Sequence, residues 1–261
     1  MKIIPINSES SSEPENSSQG KEPALEIIDL KKSFKNNKVL NGINLTLQKG
    51  ENLVVLGKSG TGKSVLIKCI VGLIEPDNGE LKALGINILE QDEKGLNTLR
   101  KKIGFLFQSA ALYDSMTVRE NLAFPLRTNH TITDIEIEEL VKDALENVGL
   151  LNAIDKMPTE LSGGMRKRIG LARTLILKPE IMLYDEPTTG LDPITAKEIS
   201  HLITDIRQKF NTASIIITHD IACAKIVADR IIVLKDGICS AEGTFEELQN
   251  SSDPDVRAYF E

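Results

Sequence analysis

The chain has 261 residues, 41% of them hydrophobic and 26% charged, with a formal net charge of −7. Its length fits one α/β domain, and the acidic balance removes the bulk attraction that supports non-specific nucleic-acid binding, so no nucleic-acid partner is expected. The three cysteines are widely spaced, which favours neither a disulfide framework nor a zinc site. No apolar run reaches the ~18 residues of a membrane-spanning helix, and residues 1–20 have no apolar signal-peptide centre, so a cytoplasmic location is expected.

The chain is expected to start with a disordered polar tail at 1–22, because SESSSEPENSSQGKEP has too few apolar groups to offset its ordering entropy. The folded domain is predicted over 23–261. Strands at 25–30 and 43–47, separated by a polar turn at 35–38, form an antiparallel lead-in. Phe34 is assigned to this turn, where its ring could stack on a base or be a half-buried packing residue.

The next segment, GKSGTGKS, lies between the apolar runs at 53–56 and 65–73, so it is predicted to be a loop between a strand and a helix. Its glycines let the backbone fold around an anion at the N-terminus of the helix, which carries a partial positive charge. Lys63 would bind the β- and γ-phosphates, and the Ser64 hydroxyl would ligate a bridging magnesium ion. The candidate cradle residues are Gly57, Lys58, Ser59, Gly60, Thr61, Gly62, Lys63 and Ser64.

A helical block outside the sheet is predicted at about 109–170. The pattern predicts, in order, strands at 79–84 and 86–89, a helix at 96–102, a strand at 103–107, and helices at 117–126 and 133–148. The last helix has a capping-box signature in Thr133 and Glu136. Gln108 is expected to project from the end of the strand before the block, either as a site residue or as an ordinary loop residue.

A second glycine motif, LSGGM at 161–165, is predicted to begin a helix with an apolar stripe on one face and its basic residues, among them Lys167, elsewhere. Ser162, Gly163 and Gly164 at the N-terminus of this helix would form another anion site. Because a whole helical block separates this motif from Lys63, the two sites are not expected to meet on one phosphate within one chain. A head-to-tail pair of chains would bring them together.

Two further strands are predicted to end in polar residues at the edge of the sheet where the glycine loop lies. The run 181–184 ends in Asp185 and Glu186, and the run 214–218 ends in His219. Asp185 is the candidate magnesium ligand, and Glu186 is the candidate base that deprotonates the attacking water, with a solvated loop as the alternative. His219 could contact the γ-phosphate or that water, or be structural. The remaining predicted elements are helices at 194–209 and 219–227, strands at 229–235 and 238–242, and two short terminal helices.

These motifs together resemble the ATP-binding subunits of ABC transporters. The matching residues are 57–64 (Walker A), Gln108 (Q-loop), 161–165 (signature), 181–186 (Walker B), 190–192 (D-loop) and His219 (switch histidine). The resemblance implies a P-loop NTPase fold with a mixed central sheet, the antiparallel lead-in and the inserted helical subdomain. It also implies a homodimer that sandwiches ATP and Mg²⁺, with Ser64, Gln108 and Asp185 near the metal, Asp192 near the nucleotide and Phe34 on the adenine. Met165 departs from the usual glutamine, and Phe34 from the usual tyrosine.

A finer resemblance lies in segments 105–126, 161–173 and 184–196, which are similar to the ATPase of the Mla and related MCE phospholipid transport systems. It implies an integral membrane permease, an MCE-domain lipid-binding protein and a possible STAS-domain subunit as partners, with the ATPase peripheral on the inner face of the plasma membrane. The expected function is ATP hydrolysis that powers phospholipid transport. An ATPase that serves another solute, or a non-transport ABC ATPase, remains the alternative.

Overall fold

A computed structural model describes residues 22–127 and 132–260, so the predicted tail lies outside the described residues except for Glu22. The strands in these ranges are β1 (Leu25–Phe34), β2 (Asn37–Leu47), β3 (Asn52–Leu56), β4 (Asn78–Ala83), β5 (Ile86–Asn87), β6 (Ile103–Leu106), β7 (Ile181–Asp185), β8 (Ala213–Thr218), β9 (Arg230–Lys235) and β10 (Ile238–Gly243). The α-helices are α1 (Lys63–Ile70), α2 (Glu93–Arg100), α3 (Val118–Arg127), α4 (Asp134–Asn147), α5 (Gly163–Leu175), α6 (Pro193–Phe210), α7 (Ile221–Val227), α8 (Phe245–Gln249) and α9 (Pro254–Arg257).

The larger sheet has six strands in the order β10-β9-β3-β8-β7-β6. Its strands pair in parallel except β10, which is antiparallel to β9. Every residue of β3 and β8 is buried, as expected for central strands that are covered on both faces. The predicted mixed central sheet is thus confirmed, and the loops after β3, β6, β7 and β8 leave it at one edge.

The smaller sheet is antiparallel, in the order β2-β1-β4-β5, and confirms the predicted lead-in. Its apolar face shares one buried cluster with α1 and one face of the larger sheet, in which Ile27, Ile67 and Val55 take part. Arg230 also ties the two sheets together, since its guanidinium donates to Glu51 Oε1 over 2.7 Å and to the carbonyl of Thr46. The glycine loop between β3 and α1 is therefore held by two packed layers.

Helices α3, α4 and α5 pack around an apolar cluster of their own that includes Leu122, Val141 and Ile169. Helix α5 also supplies Leu171 and Leu175 to the cluster on the outer face of the larger sheet. The predicted boundary of the helical block at about 170 falls inside α5, which belongs to both layers, and the block's status as a separate subdomain stays a prediction. Across the described ranges, every helix is too short or too polar to cross a membrane.

Several element boundaries differ from the predicted ones, because of strand pairing in one case and side-chain caps in two others. Strand β2 begins at Asn37, which pairs with Phe34, so Phe34 ends β1 and the turn is only two residues long. The strand predicted at 86–89 stops at Asn87, whose side-chain oxygen accepts from the Leu89 amide over 3.1 Å and starts a 3-10 turn. The helix predicted at 96–102 begins at Glu93, because Asp92 caps it.

Candidate active site

A cavity of about 690 Å³ opens at the edge of the sheet where the strands β3, β6, β7 and β8 end. This volume is in the range of ligand pockets. The lining residues are Val39, Lys58, Ser59, Gly60, Gly62, Lys63, Ser64, Val65, Gln108, Glu186 and His219. The structure thus brings together most of the glycine loop and three of the predicted strand-end residues. Val39, on β2, was not predicted, because nothing in its local sequence distinguishes it from a packing residue.

The glycine loop takes a conformation that its glycines make accessible. Gly60 has φ 84° and Gly62 has φ 101°, in the left-handed region that favours glycine. A Cβ on Gly62 would lie 2.8 Å from the Val39 carbonyl oxygen, so a side chain there would also clash. Helix α1 starts directly after Gly62, which points its unpaired N-terminal amides toward the loop. Such a loop is suited to binding a phosphate group.

The Lys63 ammonium lies inside this loop. It donates to the carbonyl oxygens of Gly57 over 2.6 Å and Lys58 over 3.0 Å, and the residue is only 6% exposed. Burial lowers the pKa of Lys63, and the negative charges of Glu186 and Asp185 oppose that shift. The ammonium is held at the centre of the cradle, with two carboxylates near enough to influence its charge.

Ser64 and Asp185 bring two oxygen donors together from different elements. The Ser64 hydroxyl donates to Asp185 Oδ1 over 3.5 Å, across from the end of β7. Burial and the neighbouring Glu186 charge raise the pKa of Asp185, while the Ser64 hydrogen bond and nearby lysines lower it. A hydroxyl and a carboxylate are hard oxygen ligands, so the pair fits Mg²⁺, which prefers few protein ligands with water and phosphate oxygens around it.

Glu186 is fixed by its backbone and by two side chains. Its φ is 50°, and its amide donates to the Ile217 carbonyl over 2.9 Å, which turns the residue out of the line of β7. The carboxylate oxygen Oε2 accepts from the Thr189 hydroxyl over 3.0 Å and lies 2.8 Å from His219 Nδ1. The Glu186 side chain is 13% exposed. A largely buried carboxylate aimed at the phosphate cradle has the geometry of a base.

Lys167 is a part of this site that the sequence pattern did not predict. The pattern placed it outside the apolar stripe of α5, yet the residue is only 5% exposed. Its ammonium donates to the carbonyl oxygens of Gln108 and, over 3.1 Å, Glu186. Burial lowers the pKa of Lys167, and the charges of Asp185 and Glu186 oppose that shift. The only feature of the sequence that could have indicated Lys167 is its position, one helical turn after Gly163 and Gly164.

The second glycine motif lies elsewhere. Ser162 caps α5, its hydroxyl accepting from the Met165 amide over 3.3 Å. A Cβ on Gly164 would lie 2.4 Å from Thr195 Cγ2, and one on Gly163 would lie 3.4 Å from Leu191 Cδ2. Asp192 caps α6, with 2.6 Å between its Oδ2 and the Thr195 hydroxyl that donates to it. Ser162, Gly163, Gly164 and Asp192 thus form a group of their own, apart from the lining of the cavity.

Phe34 also lies outside that lining. It is 45% exposed at the end of β1, so both stacking on a base and half-buried packing stay predictions. The Lys32 ammonium lies 5.5 Å from the centre of its ring. An exposed ring beside a cation remains free to stack on a planar group.

The fold and the cavity define an ATPase of the P-loop α/β class. A model of the ABC transporter family matches residues 40–189, more than half of the chain. The chain belongs to this family and is an ATP-hydrolysing, ATP-binding subunit of an ABC transporter.

Three relatives carry different names. The chain is 41% identical over 236 residues to the probable ribonucleotide transport ATP-binding protein mkl of Mycobacterium leprae, covering 90% of this chain and 68% of that one. It is 37% identical over 256 residues to the chloroplastic protein Trigalactosyldiacylglycerol 3 of Arabidopsis thaliana, covering 90% and 72%. It is 38% identical over 221 residues to the methionine import protein MetN of Brucella abortus, covering 85% and 60%.

Solved structures of the family have the same fold. The ATP-binding cassette MJ0796, a dimer bound to ADP and Pi, matches with a TM-score of 0.78 and 30% identity, over 85% of this chain and 98% of that chain. The cassette cbiO1 of Clostridium perfringens, part of the complex cbiONQ, matches with a TM-score of 0.81 and 30% identity, over 87% and 90%. These matches confirm the predicted fold class.

Proposed function

We propose that Glu186 is the general base of ATP hydrolysis in this chain. The observation that carries this proposal is the placement of its carboxylate in the phosphate cavity, 2.8 Å from His219 Nδ1 and close enough to Lys63 to affect its pKa. The carboxylate takes a proton from the water as the water oxygen bonds to the γ-phosphorus, and the bond from that phosphorus to the bridging oxygen of ADP breaks. His219 and Thr189 hold the carboxylate in position.

The loop amides and Lys63 bind the β- and γ-phosphates and stabilise the charge that spreads over the γ-phosphoryl oxygens. Ser64, Asp185 and Gln108 would hold Mg²⁺, which supplies further positive charge at those oxygens when bound. Lys58, Ser59, Gly60, Thr61 and Gly62 shape the cradle, and Phe34 stacks on the adenine. In this proposal, the residues of the cavity supply the groups that hydrolyse one nucleotide, but they leave the outer side of that nucleotide uncovered.

A second copy of the chain completes each site, with Ser162, Gly163 and Gly164 of one copy on the γ-phosphate bound by the other. Two findings support this arrangement. The signature residues lie outside the cavity of their own chain, although they form a helix N-terminus suited to an anion. The similar cassette MJ0796 has been solved as a dimer. Asp192 and Leu191, which pack beside the signature, would lie at the contact between the copies.

The transported solute is, in this proposal, a phospholipid. The three segments similar to Mla-type ATPases support it, and so does a relative that carries the name of a glycolipid. The names of mkl and MetN refer to ribonucleotides and methionine, so an ABC ATPase for another solute is the alternative. The proposed partners are an integral permease, an MCE-domain protein and a possible STAS-domain subunit. The location is the cytoplasmic face of the inner membrane.

An apolar cleft is the proposed contact with the permease. Tyr113 and Phe124 lie with their ring centres 5.1 Å apart, and both line the cleft together with Leu177. The four hydrogen bonds of the buried Asn121 amide, two of them with Tyr113, hold the adjoining loop. Leu112, in the same loop, does not line the cleft and packs on the helical cluster instead. This loop follows Gln108, so changes at the phosphate site can reach the cleft.

The test uses the tagged full chain, purified with its complex from detergent-solubilised membranes. Tyr113→Asp should abolish co-purification of the permease while ATP binding persists. Ile135→Asp, at an exposed position on α4 outside the cleft, is the matched control and should leave the complex intact. Phospholipid should be enriched in the wild-type complex. The lipid proposal would be contradicted if the purified complex contained no phospholipid and if deletion of the gene left the envelope lipids unchanged. The assignment of the chain as an ABC ATPase would still hold.

A further inference from the structure

Lys167 joins two loops of the phosphate cavity to the helix that carries the signature. Its ammonium donates to the carbonyl of Gln108, in the loop after β6, and to the carbonyl of Glu186, in the loop after β7. Both of these residues line the cavity, whereas Lys167 lies behind it on α5. One side chain therefore fixes the backbone of the candidate base relative to the candidate Q-loop residue.

This arrangement has a cost that packing alone does not explain. Burying an ammonium disfavours its charged form, and an apolar side chain of similar length would fill the same space without that penalty. The adjacent basic residues do not enter the site, since Arg166 bonds to the Leu161 carbonyl and Arg168 pairs with Glu198. The ammonium of Lys167 bonds to backbone carbonyls, so it fixes the path of two loops.

Helix α5 is a rigid connection between Lys167 and the signature. Ser162 caps the helix, and Lys167 lies five residues further on, which corresponds to about 7.5 Å along the axis. The helix also packs closely on the loop after β6 at Gly170. A Cβ added to Gly170 would lie only 3.1 Å from the Ala110 carbonyl oxygen. A displacement of the N-terminus of α5 therefore moves the Lys167 ammonium and, with it, the two carbonyls.

We propose that Lys167 is a positioning residue that couples the two ATP sites of the dimer. When the signature of one chain contacts the γ-phosphate held by its partner, α5 shifts, and Lys167 sets the placement of Glu186 and Gln108 in its own chain. Hydrolysis at one site is thereby made to depend on the nucleotide at the other. This inference rests on the proposed two-chain site.

The experiment compares three variants of the full chain. Lys167→Met keeps the length of the side chain and removes every donor, whereas Lys167→Gln keeps two N–H donors, one for each carbonyl. Lys94→Met, at an exposed position on α2, is the matched control. The measurements are kcat, KM and the Hill coefficient for ATP, equilibrium ATP binding, and Tm.

Lys167→Met should lower kcat about tenfold with KM within about twofold, because the base is misplaced but the phosphate cradle is intact. Its Hill coefficient should fall to about 1, since the sites no longer communicate. Lys167→Gln should recover most of the kcat and of the cooperativity, and Lys94→Met should match wild type.

Two results would overturn the inference. One is a Lys167→Met protein with wild-type kcat and Hill coefficient. The other is equal loss of kcat in the Met and Gln variants together with a matching fall in Tm, which indicates a structural role. The two-chain site is tested separately, by mixing a Lys63→Ala chain with a Ser162→Arg chain. If that mixture recovers activity while Lys167→Met keeps the wild-type kcat and Hill coefficient, the coupling through Lys167 is contradicted and the two-chain site is not.

Discussion

Two helix N-termini with glycine motifs differ in what the fold places around them. The N-terminus of α1 opens into a cavity that also contains Lys63, Glu186 and His219. The N-terminus of α5 offers a serine hydroxyl and backbone amides, and it packs against Leu191 and Thr195. In the proposed mechanism, the groups around the first cleave a phosphoanhydride bond, whereas those at the second only bind an anion. In this proposal, similar local sequences have different roles because one of them lies at the carboxyl ends of parallel strands.

The largest effect should come from removing the proposed base, Glu186, from the cavity at the N-terminus of α1. Glu186→Gln keeps the shape of the side chain but cannot accept the proton, so kcat should fall by about a thousandfold while ATP binding persists. Steady-state phosphate release and equilibrium nucleotide binding measure the two quantities. Glu180→Gln, just before the other end of β7, is the control and should behave as wild type. A Glu186→Gln rate within about twofold of wild type would remove this residue from the role of base.

A smaller effect should follow from displacing the N-terminus of α5. Gly164→Ala places a methyl group 2.4 Å from Thr195 Cγ2, so either the start of α5 or the Thr195 side chain must shift. We expect kcat to fall by about tenfold to a hundredfold, because the signature no longer meets the phosphate in register. Thr195→Ser removes the clashing methyl and keeps the hydroxyl that bonds to Asp192, so the double variant should regain activity. If both variants are equally slow while folded and bound to ATP, the steric explanation fails.

The smallest effect should come from Phe34, the proposed stacking partner of the adenine. Phe34→Ala should raise KM about fivefold without changing kcat, because an exposed ring loses one stacking contact with the adenine. Phe34→Tyr keeps the ring and should match wild type. Titration of both variants with ATP, and with a triphosphate that has no base, separates loss of stacking from loss of the phosphate site. Equal KM values for Phe34→Ala and wild type would show that the ring does not contact the base.

The sequence was sufficient for the parts of the site that depend on order along the chain. An apolar run followed by Asp185 and Glu186 specifies a buried strand with carboxylates at its end, and the structure has that strand. The contact between Glu186 and His219 was not predictable, because it depends on a φ of 50° at Glu186 and on the order of β7 and β8 in the sheet. Lys167 was missed because helical periodicity separates faces but does not tell which loop a polar face meets.

In the proposed dimer, each ATP site needs the N-terminus of α1 from one chain and the N-terminus of α5 from the other. Lys63→Ala and Ser162→Arg chains should each be inactive alone, with Ser162→Thr, which keeps a capping hydroxyl, as the control. When equal amounts are mixed, random pairing into two-fold dimers gives half mixed dimers with one intact site each. Activity should therefore return, to about a quarter of the wild-type value if the intact site works independently and to less than that if the two sites are coupled. Two different affinity tags confirm that mixed dimers form. If such dimers form and the mixture stays as inactive as its parents, the site is not shared between chains.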